Sequence, residues 1–385
     1  MLIKPNRYNT NSLKYDTKEE HNIPIDALPM WVADMDFKLP YIIRKNITKI
    51  AKHGVFGYTV FPDTYFDVLY NWHEKHHNFK PSKEWLINTP GIVFAIAQII
   101  KALTNINDSI IINQPVYYPF SEMILSNNRK LINSPLVLKE SNYYIDFIDL
   151  ENKIAENKVK MYIFCSPHNP VGRVWTKDEL IKIGDICLKH NCILISDEIH
   201  SDFVFTSEHY NFYTLDPKYQ DTSIICYSLG KSMNLAGVQI SDIFIKNEIL
   251  RNKVINEIES SGYSQHNIFG IHAAYYSYIY GYKWLSKIKK IIKNNVDLIK
   301  SYKTDLFKTI NHQGTYLLWI DFNHLELNHE QLNHLVQHKC KLWLDEGLMF
   351  GEEGRMFMRV NVATSKSNIQ IFLKKISMLE KNSEQ

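Results

Sequence analysis

Two short apolar runs, one helix's length apart, set the tightest limit on what this chain can fold into. Lys160-Met161-Tyr162-Ile163-Phe164-Cys165 and Ile193-Leu194-Ile195-Ser196 are almost continuously apolar, as strands buried on both faces are. Between them, Thr176-Lys177-Asp178-Glu179 has the form of a capping box, and an amphipathic helix is expected from there to about Lys189. Strand, helix and strand in this order make a βαβ unit, so both strands open on the same edge of a parallel sheet. Ligands of such sheets bind at that edge. The first strand leads into Ser166-Pro167-His168-Asn169-Pro170-Val171-Gly172-Arg173, where prolines and a glycine hold the Asn169 amide in a fixed loop. The second ends in Asp197-Glu198-Ile199-His200. Asp197 is a carboxylate at the end of a buried strand, costly unless a cation answers it; helix capping is the competing reading.

The same edge collects further chemistry. Ser223-Ile224-Ile225-Cys226-Tyr227 reads as a strand, which puts Lys231, in Ser228-Leu229-Gly230-Lys231-Ser232, just beyond its end. A desolvated amine there can act as a nucleophile toward a carbonyl, whereas a solvated loop lysine is the plain alternative. Asn88-Thr89-Pro90-Gly91 reads as a turn into Ile92–Leu103, apolar nearly all round and so a buried helix. Its free N-terminal amides make a phosphate site or merely follow a Pro-Gly turn. Strand Ser109–Asn113 leads to Tyr117, Tyr118 and Phe120 between prolines, aromatic surface for stacking on a flat ring or for packing the core.

The flanking regions are less explicit. Asp34 and Asp36, in Pro29–Phe37, read more readily as caps of local backbone than as an acid-base pair. A helix is expected from Tyr41 to Lys52, and a turn-rich segment holds Tyr58. Ile243–Ile245 reads as another strand, and helical patterning runs from Glu248 to about Leu306. Strand Tyr316–Asp321, a helix near Glu330 to His338 and strand Met356–Val362 then suit a small α+β domain. Arg359 in that last strand either ends in a structural ion pair or receives a carboxylate.

Charge and composition exclude several classes. In 385 residues, 44 basic and 41 acidic side chains leave a formal charge of +3, with no polybasic stretch to bind nucleic acid. No apolar run is long enough to span a bilayer and the first residues lack a leader's apolar core, so a cytoplasmic protein without membrane partners is expected. Five scattered cysteines read as reduced core thiols, and sixteen histidines show no metal-ligand spacing, so no metal is expected.

Taken together, Trp31–Phe37, Phe56–Thr59, Thr89-Pro90-Gly91, Pro167–Arg173, Ser196–Asp202 and Ser228–Gly237 resemble the fold-type I, aminotransferase-like enzymes of pyridoxal 5′-phosphate (PLP). Among them the likeness is to the MalY/PatB group of carbon–sulfur β-lyases. The resemblance implies an α/β fold with a large domain built on a mostly parallel sheet (51–275), a small α+β domain (276–385) and an N-terminal segment (1–50) packed on the small domain. It implies that Lys231 carries PLP covalently and then serves as base, that Asp197 pairs with the ring nitrogen, and that Asn169 meets the ring's 3-oxygen. Tyr117 would stack on the ring, with His200 near it. Gly91, Ile92 and Val93 amides and the Ser228 hydroxyl would hold the phosphate, reached also by Tyr58 from the other subunit of a homodimer with shared sites. Arg359 would clamp the substrate carboxylate, with Trp31 shaping the pocket. Two positions depart from the pattern: Gln239 stands where many relatives have a phosphate-anchoring arginine, and Ser166 where the group often has asparagine. The implied activity is α,β-elimination of an L-cysteine S-conjugate such as L-cystathionine to a thiol, pyruvate and ammonia. An aminotransferase and a regulatory binding protein on the same fold are the rival readings.

Overall fold

Seven strands form the central sheet of the computed structural model, which describes residues 5–206 and 208–383. Across the sheet the order is Leu86–Thr89, Ser241–Phe244, Ser223–Tyr227, Ile193–Asp197, Met161–Cys165, Ser109–Ile112 and Lys130–Asn133. Every neighbouring pair is parallel except the two made by Ser241–Phe244, which is antiparallel to both its neighbours. The central strands are buried along their whole length, which is why their sequences show apolar runs rather than alternation.

The βαβ unit forms as its sequence requires. Helix Lys177–Lys189 starts with a complete capping box, Thr176 accepting from the Glu179 amide and Glu179 accepting from the Thr176 amide. Arg173 also grips Glu179 with two bonds of 2.8 and 2.9 Å, so the loop carrying Asn169 is tied to the helix that follows it. Helix Ile92–Leu103 packs against Glu248–Ser260 and Pro119–Ser126, a surrounding that explains its apolar character on every side.

A second, antiparallel sheet has the order Lys308–Thr309, Leu317–Asp321, Phe357–Asn361, Asp345–Glu346. The chain's first part runs along it. Leu28–Pro29 pairs in parallel with Leu342–Trp343, and the Asn361 side chain donates to the carbonyls of Val32 and Asp34 at 2.5 and 2.6 Å. Three long helices, Glu248–Ser260, Ile268–Tyr280 and Tyr282–Lys300, fill the interval that reads as continuously helical.

The structure departs from sequence expectation where pairing, not pattern, decides. Asn88 and Thr89 close a strand instead of belonging wholly to a turn, because Ser241–Phe244 supplies ladder partners for the short Leu86–Thr89 segment. Lys130–Asn133, Val137–Lys139 and Asn142–Tyr144 are half-polar strands with no apolar signature. The helix expected near Glu330 to His338 is α-helical only over His329–His334 and continues as a π turn over Leu335–Lys339. Among the described residues no helix is long and apolar enough to cross a membrane.

One glycine in the βαβ helix is set by packing. A Cβ on Gly184 would lie 2.5 Å from the Tyr219 ring, whose hydroxyl is fixed at 2.8 Å on Asp185. Gly184→Ala should therefore forfeit the usual helix gain of about 1 kcal/mol and destabilise the protein by roughly 1–3 kcal/mol, read from urea unfolding midpoints.

Candidate active site

The parallel strands deliver their final residues to one cavity of about 150 Å³, lined by Gly91, Tyr117, Asn169, Asp197, His200 and Lys231 among others. Asp197 is the last residue of its strand and lies in register with Cys165 on one side and Cys226 on the other. The one described hydrogen bond to its carboxylate comes from the Ile199 amide at 3.2 Å, and no described cation forms an ion pair with it. Burial raises its pKa to about 7, against the opposing pull of that amide and of Lys231. Two thiols flank the acid, and burial drives both well above the ordinary thiol range, so they stay neutral.

Lys231 faces the same cavity. Desolvation, and then the positive charge of Arg359, lower its pKa to about 8, while Asp34, Asp197 and Asp345 oppose the shift. Its Nζ donates to the Ala33 carbonyl at 2.8 Å, which also accepts from the Tyr316 hydroxyl at 2.8 Å. The loop around the lysine is held from both sides. Asn234, at φ 54°, makes two 2.8 Å bonds to the backbone of Met35. Behind it, buried Asp202 accepts from Ser232 and, at 2.7 Å, from Tyr227, with His77 Nε2 at 3.1 Å. Burial disfavours that carboxylate, but His77 and the two hydroxyls outweigh it and hold Asp202 ionised well below the usual range.

On the same cavity wall, helix Ile92–Leu103 begins at Gly91 without a side-chain cap, so its first amides are left for a ligand. A Cβ on Gly91 would meet no protein atom within 4 Å. Ser228 lines the cavity too, but its hydroxyl donates to the Ile240 carbonyl at 2.8 Å and accepts from the Gly230 amide at 2.9 Å. In this arrangement the amides, not that hydroxyl, are the free donors. Gln239, at φ 52°, occupies the wall where an arginine is common.

Asn169 and Arg359 meet directly, Arg359 Nη1 donating to Asn169 Oδ1 at 3.0 Å, which leaves the Asn169 amide hydrogens free to donate. The second Arg359 nitrogen bonds Asp345, so the structural ion pair and the position beside the cavity coexist. His200 is buried with Nδ1 unpartnered and its ring edge-on to Tyr316; desolvation, with Lys231 and Arg359, keeps it neutral. Tyr117 forms part of the wall and stays protonated because burial raises its phenol.

Two candidates lie further out. The Trp31 ring stacks on Trp343 at 4.3 Å and donates to the Lys14 carbonyl, while its own carbonyl accepts from Arg359 at 3.4 Å. Tyr58 is 94% exposed, in a separate groove that shares Pro90 and Gln239 with the cavity. Asp34 and Asp36 correct the sequence reading: they do not cap local backbone but join Arg7 and Lys14, with Arg7 at 2.5 Å from Asp34 and 3.0 Å from Asp36. This network holds the Ala33 carbonyl over Lys231. Tyr316 and Asp345 carry no motif of their own, and Ala33 contributes through its backbone carbonyl; the fold alone brings these groups to Lys231 and Arg359.

A family model described as aminotransferase class I and II matches residues 34–376. The chain belongs to the aminotransferase class I and II family. Within it, the chain is 35% identical over 374 residues to the cystathionine β-lyase PatB of Bacillus subtilis, covering 96% of this chain and 97% of that one. It is 26% identical to the protein MalY of Escherichia coli over 369 residues, 94% of each. Among solved structures, cystalysin of Treponema denticola, which contains a pyridoxal 5′-phosphate cofactor, superposes with a TM-score of 0.94 at 35% identity, covering 99% of this chain and 98% of that one. The PLP-bound C–S lyase of Staphylococcus hominis superposes at 0.90 with 26% identity, covering 98% and 96%. The fold is that of fold-type I PLP enzymes.

The acid network makes a prediction about stability. Asp36 has no exposed side-chain surface, and Lys14, Thr364, Arg7 and Tyr15 together overcome the burial penalty and lower its pKa. Its contribution is therefore complete above an unfolded carboxylate's pKa of about 4 and is lost as pH falls through the lower folded value. Asp36→Asn should cost about 1–3 kcal/mol at pH 7 by leaving Lys14 with Asp34 as its one described carboxylate partner, and should flatten the acid limb of stability measured by urea titration between pH 3 and 6.

Proposed function

We propose that this protein is a PLP-dependent carbon–sulfur β-lyase that eliminates a thiol from L-cysteine S-conjugates, L-cystathionine among them. The carrying observation is the pairing of opposite needs in one cavity. A fully buried acid that forms no ion pair, uncapped helix amides and a lysine amine of lowered pKa all line it. PLP fits these demands: a basic ring nitrogen answers Asp197, a dianionic phosphate answers the amides of Gly91, Ile92 and Val93, and an aldehyde answers Lys231.

When bound, PLP supplies an electron sink that makes the substrate Cα–H acidic and allows a thiolate to leave from Cβ. The protein's residues do the rest. Asp197 holds a proton on the facing nitrogen, and the thiols of Cys165 and Cys226 add no positive charge to compete for it. Lys231, with a pKa of about 8, is present in part as the free amine at neutral pH and takes the proton from Cα. Asn169 would donate its amide to the ring oxygen, and its Oδ1 holds Arg359, which would receive the α-carboxylate. His200 stays neutral, and Tyr117 provides a protonated aromatic wall. The reaction consumes water and yields thiol, pyruvate and ammonia.

Tyr58 and its exposed neighbours Val55, Phe56 and Val60 form an apolar strip beside the cavity mouth, the surface a second copy would cover. In that homodimer Tyr58 reaches the partner's phosphate end.

The activity test is acceptor-free turnover. With L-cystathionine or S-benzyl-L-cysteine and no keto acid, the holoenzyme should release pyruvate and thiol together. A protein that releases no pyruvate or thiol, and instead passes the substrate's amino group to an added keto acid and leaves the 2-oxo acid of the intact conjugate, is an aminotransferase. Lys231→Ala should lose at least about 10³-fold in kcat, and borohydride reduction followed by peptide mapping should find the cofactor on Lys231 in wild type alone.

A further inference from the structure

A guanidinium carries five N–H donors, and Arg359 spends three of them within the protein. Nη1 bonds Asn169, and Nη2 bonds the Trp31 carbonyl and Asp345. The Nε hydrogen is buried without a partner, and one Nη1 hydrogen remains. The face of the group lies over Phe350, with the ring centre 4.8 Å away. So two donors on the arginine remain unspent, but its charge is already answered.

The answering acid is part of the sheet. Strand Asp345–Glu346 pairs with Phe357–Asn361 in the register Asp345↔Arg359, so the two side chains are direct cross-strand neighbours. They are 5% and 4% exposed. Burial raises the Asp345 carboxyl, with Arg359 opposing the shift; Glu346 adds to it and Lys14 subtracts. The other nearby carboxylate, Asp34, is matched by Arg7 and Lys14. An arginine paired in this way offers hydrogen bonds without net positive charge.

We propose that Asp345 determines substrate specificity: by neutralising Arg359 from the adjacent strand, it confines the site to amino acids whose only net negative group is the α-carboxylate. Amino acids with an anionic side chain are turned away. This rests on the reading of Arg359 as the α-carboxylate clamp. Once the α-carboxylate has docked, Asp345, Arg359 and that carboxylate together carry one excess negative charge, and a side-chain carboxylate would add another at a buried pair. A zwitterionic far end, as in cystathionine, or an apolar S-substituent adds none. The resulting class, neutral cysteine S-conjugates, excludes the acidic amino acids.

The test uses isosteric ligands, so that only charge differs. Binding of L-aspartate against L-asparagine, and of L-glutamate against L-glutamine, is measured on the holoenzyme by calorimetry and by the change in visible spectrum. Wild type should hold each amide at least about tenfold more tightly than its acid. Asp345→Asn should close that gap to within about threefold, mainly by strengthening the acids, and Asp345→Glu should keep it. Equal affinities for acid and amide in wild type overturn the proposal even if the asparagine variant does not fold. A gap unchanged in folded Asp345→Asn, while Arg359→Ala weakens all four ligands, removes the role of Asp345 alone. Arg359→Ala protein that binds all four as well as wild type removes the clamp reading, and this proposal with it.

Discussion

A carboxylate buried at a strand end without a cation is the constraint on which the rest of this site depends. Asp197 cannot be relieved by its sheet neighbours, since Cys165 and Cys226 offer only neutral thiols at the same register. Its backbone contact with Ile199 is too little to hold an ionised acid at ordinary pKa in that surrounding, and the group sits near neutrality. Such an arrangement is unfavourable for the empty protein and favourable for one bearing a cationic ring at that point. Its strand is buried from Leu194 to Asp197 between two strands buried along their whole length, so the acid's position is rigid.

The lysine is set by a different kind of support. Lys231 sits in a single turn of helix, too short to fix anything by itself. Its placement comes from beneath, where Asp202 gathers Ser232, Tyr227 and His77, and from above, where Asn234 is bonded to Met35 and Lys231 itself to Ala33. The upper support is a segment from the far end of the chain, held down by the Arg7–Asp34–Asp36–Lys14 network and by Asn361. The turn carrying Lys231 is thus clamped between the central sheet and the N-terminal segment. Any motion of that segment changes what Lys231 Nζ touches.

Arg359 connects the two sheets electrostatically. It reaches Asn169, which ends the loop after a central strand, and Asp345, its partner in the second sheet. One side chain therefore links the loop after a central strand to the second sheet. Its charge is balanced within its own sheet, so what remains for a ligand is hydrogen-bonding direction more than attraction.

The sequence by itself determined the βαβ core, the buried helix after Gly91 and the residues at the strand ends. Those features are written locally: apolar runs for strands buried on both faces, Thr176 and Glu179 for a helix start, proline and glycine around Asn169. Lys231, Asp197, Asn169 and Tyr117 were legible because chain order alone sends them to one edge, and they do share one cavity. Short polar strands such as Lys130–Asn133 were not, since their ladder partners, not their side chains, make them strands. Nor could the chain reveal that Asp34 and Asp36 pair with Arg7 and Lys14, that the Ser228 hydroxyl is taken by Ile240, or that Arg359 is answered by Asp345. Those contacts join residues whose separation carries no period, so only the tertiary structure, which decides which polar groups are left unpaired after burial, could settle them.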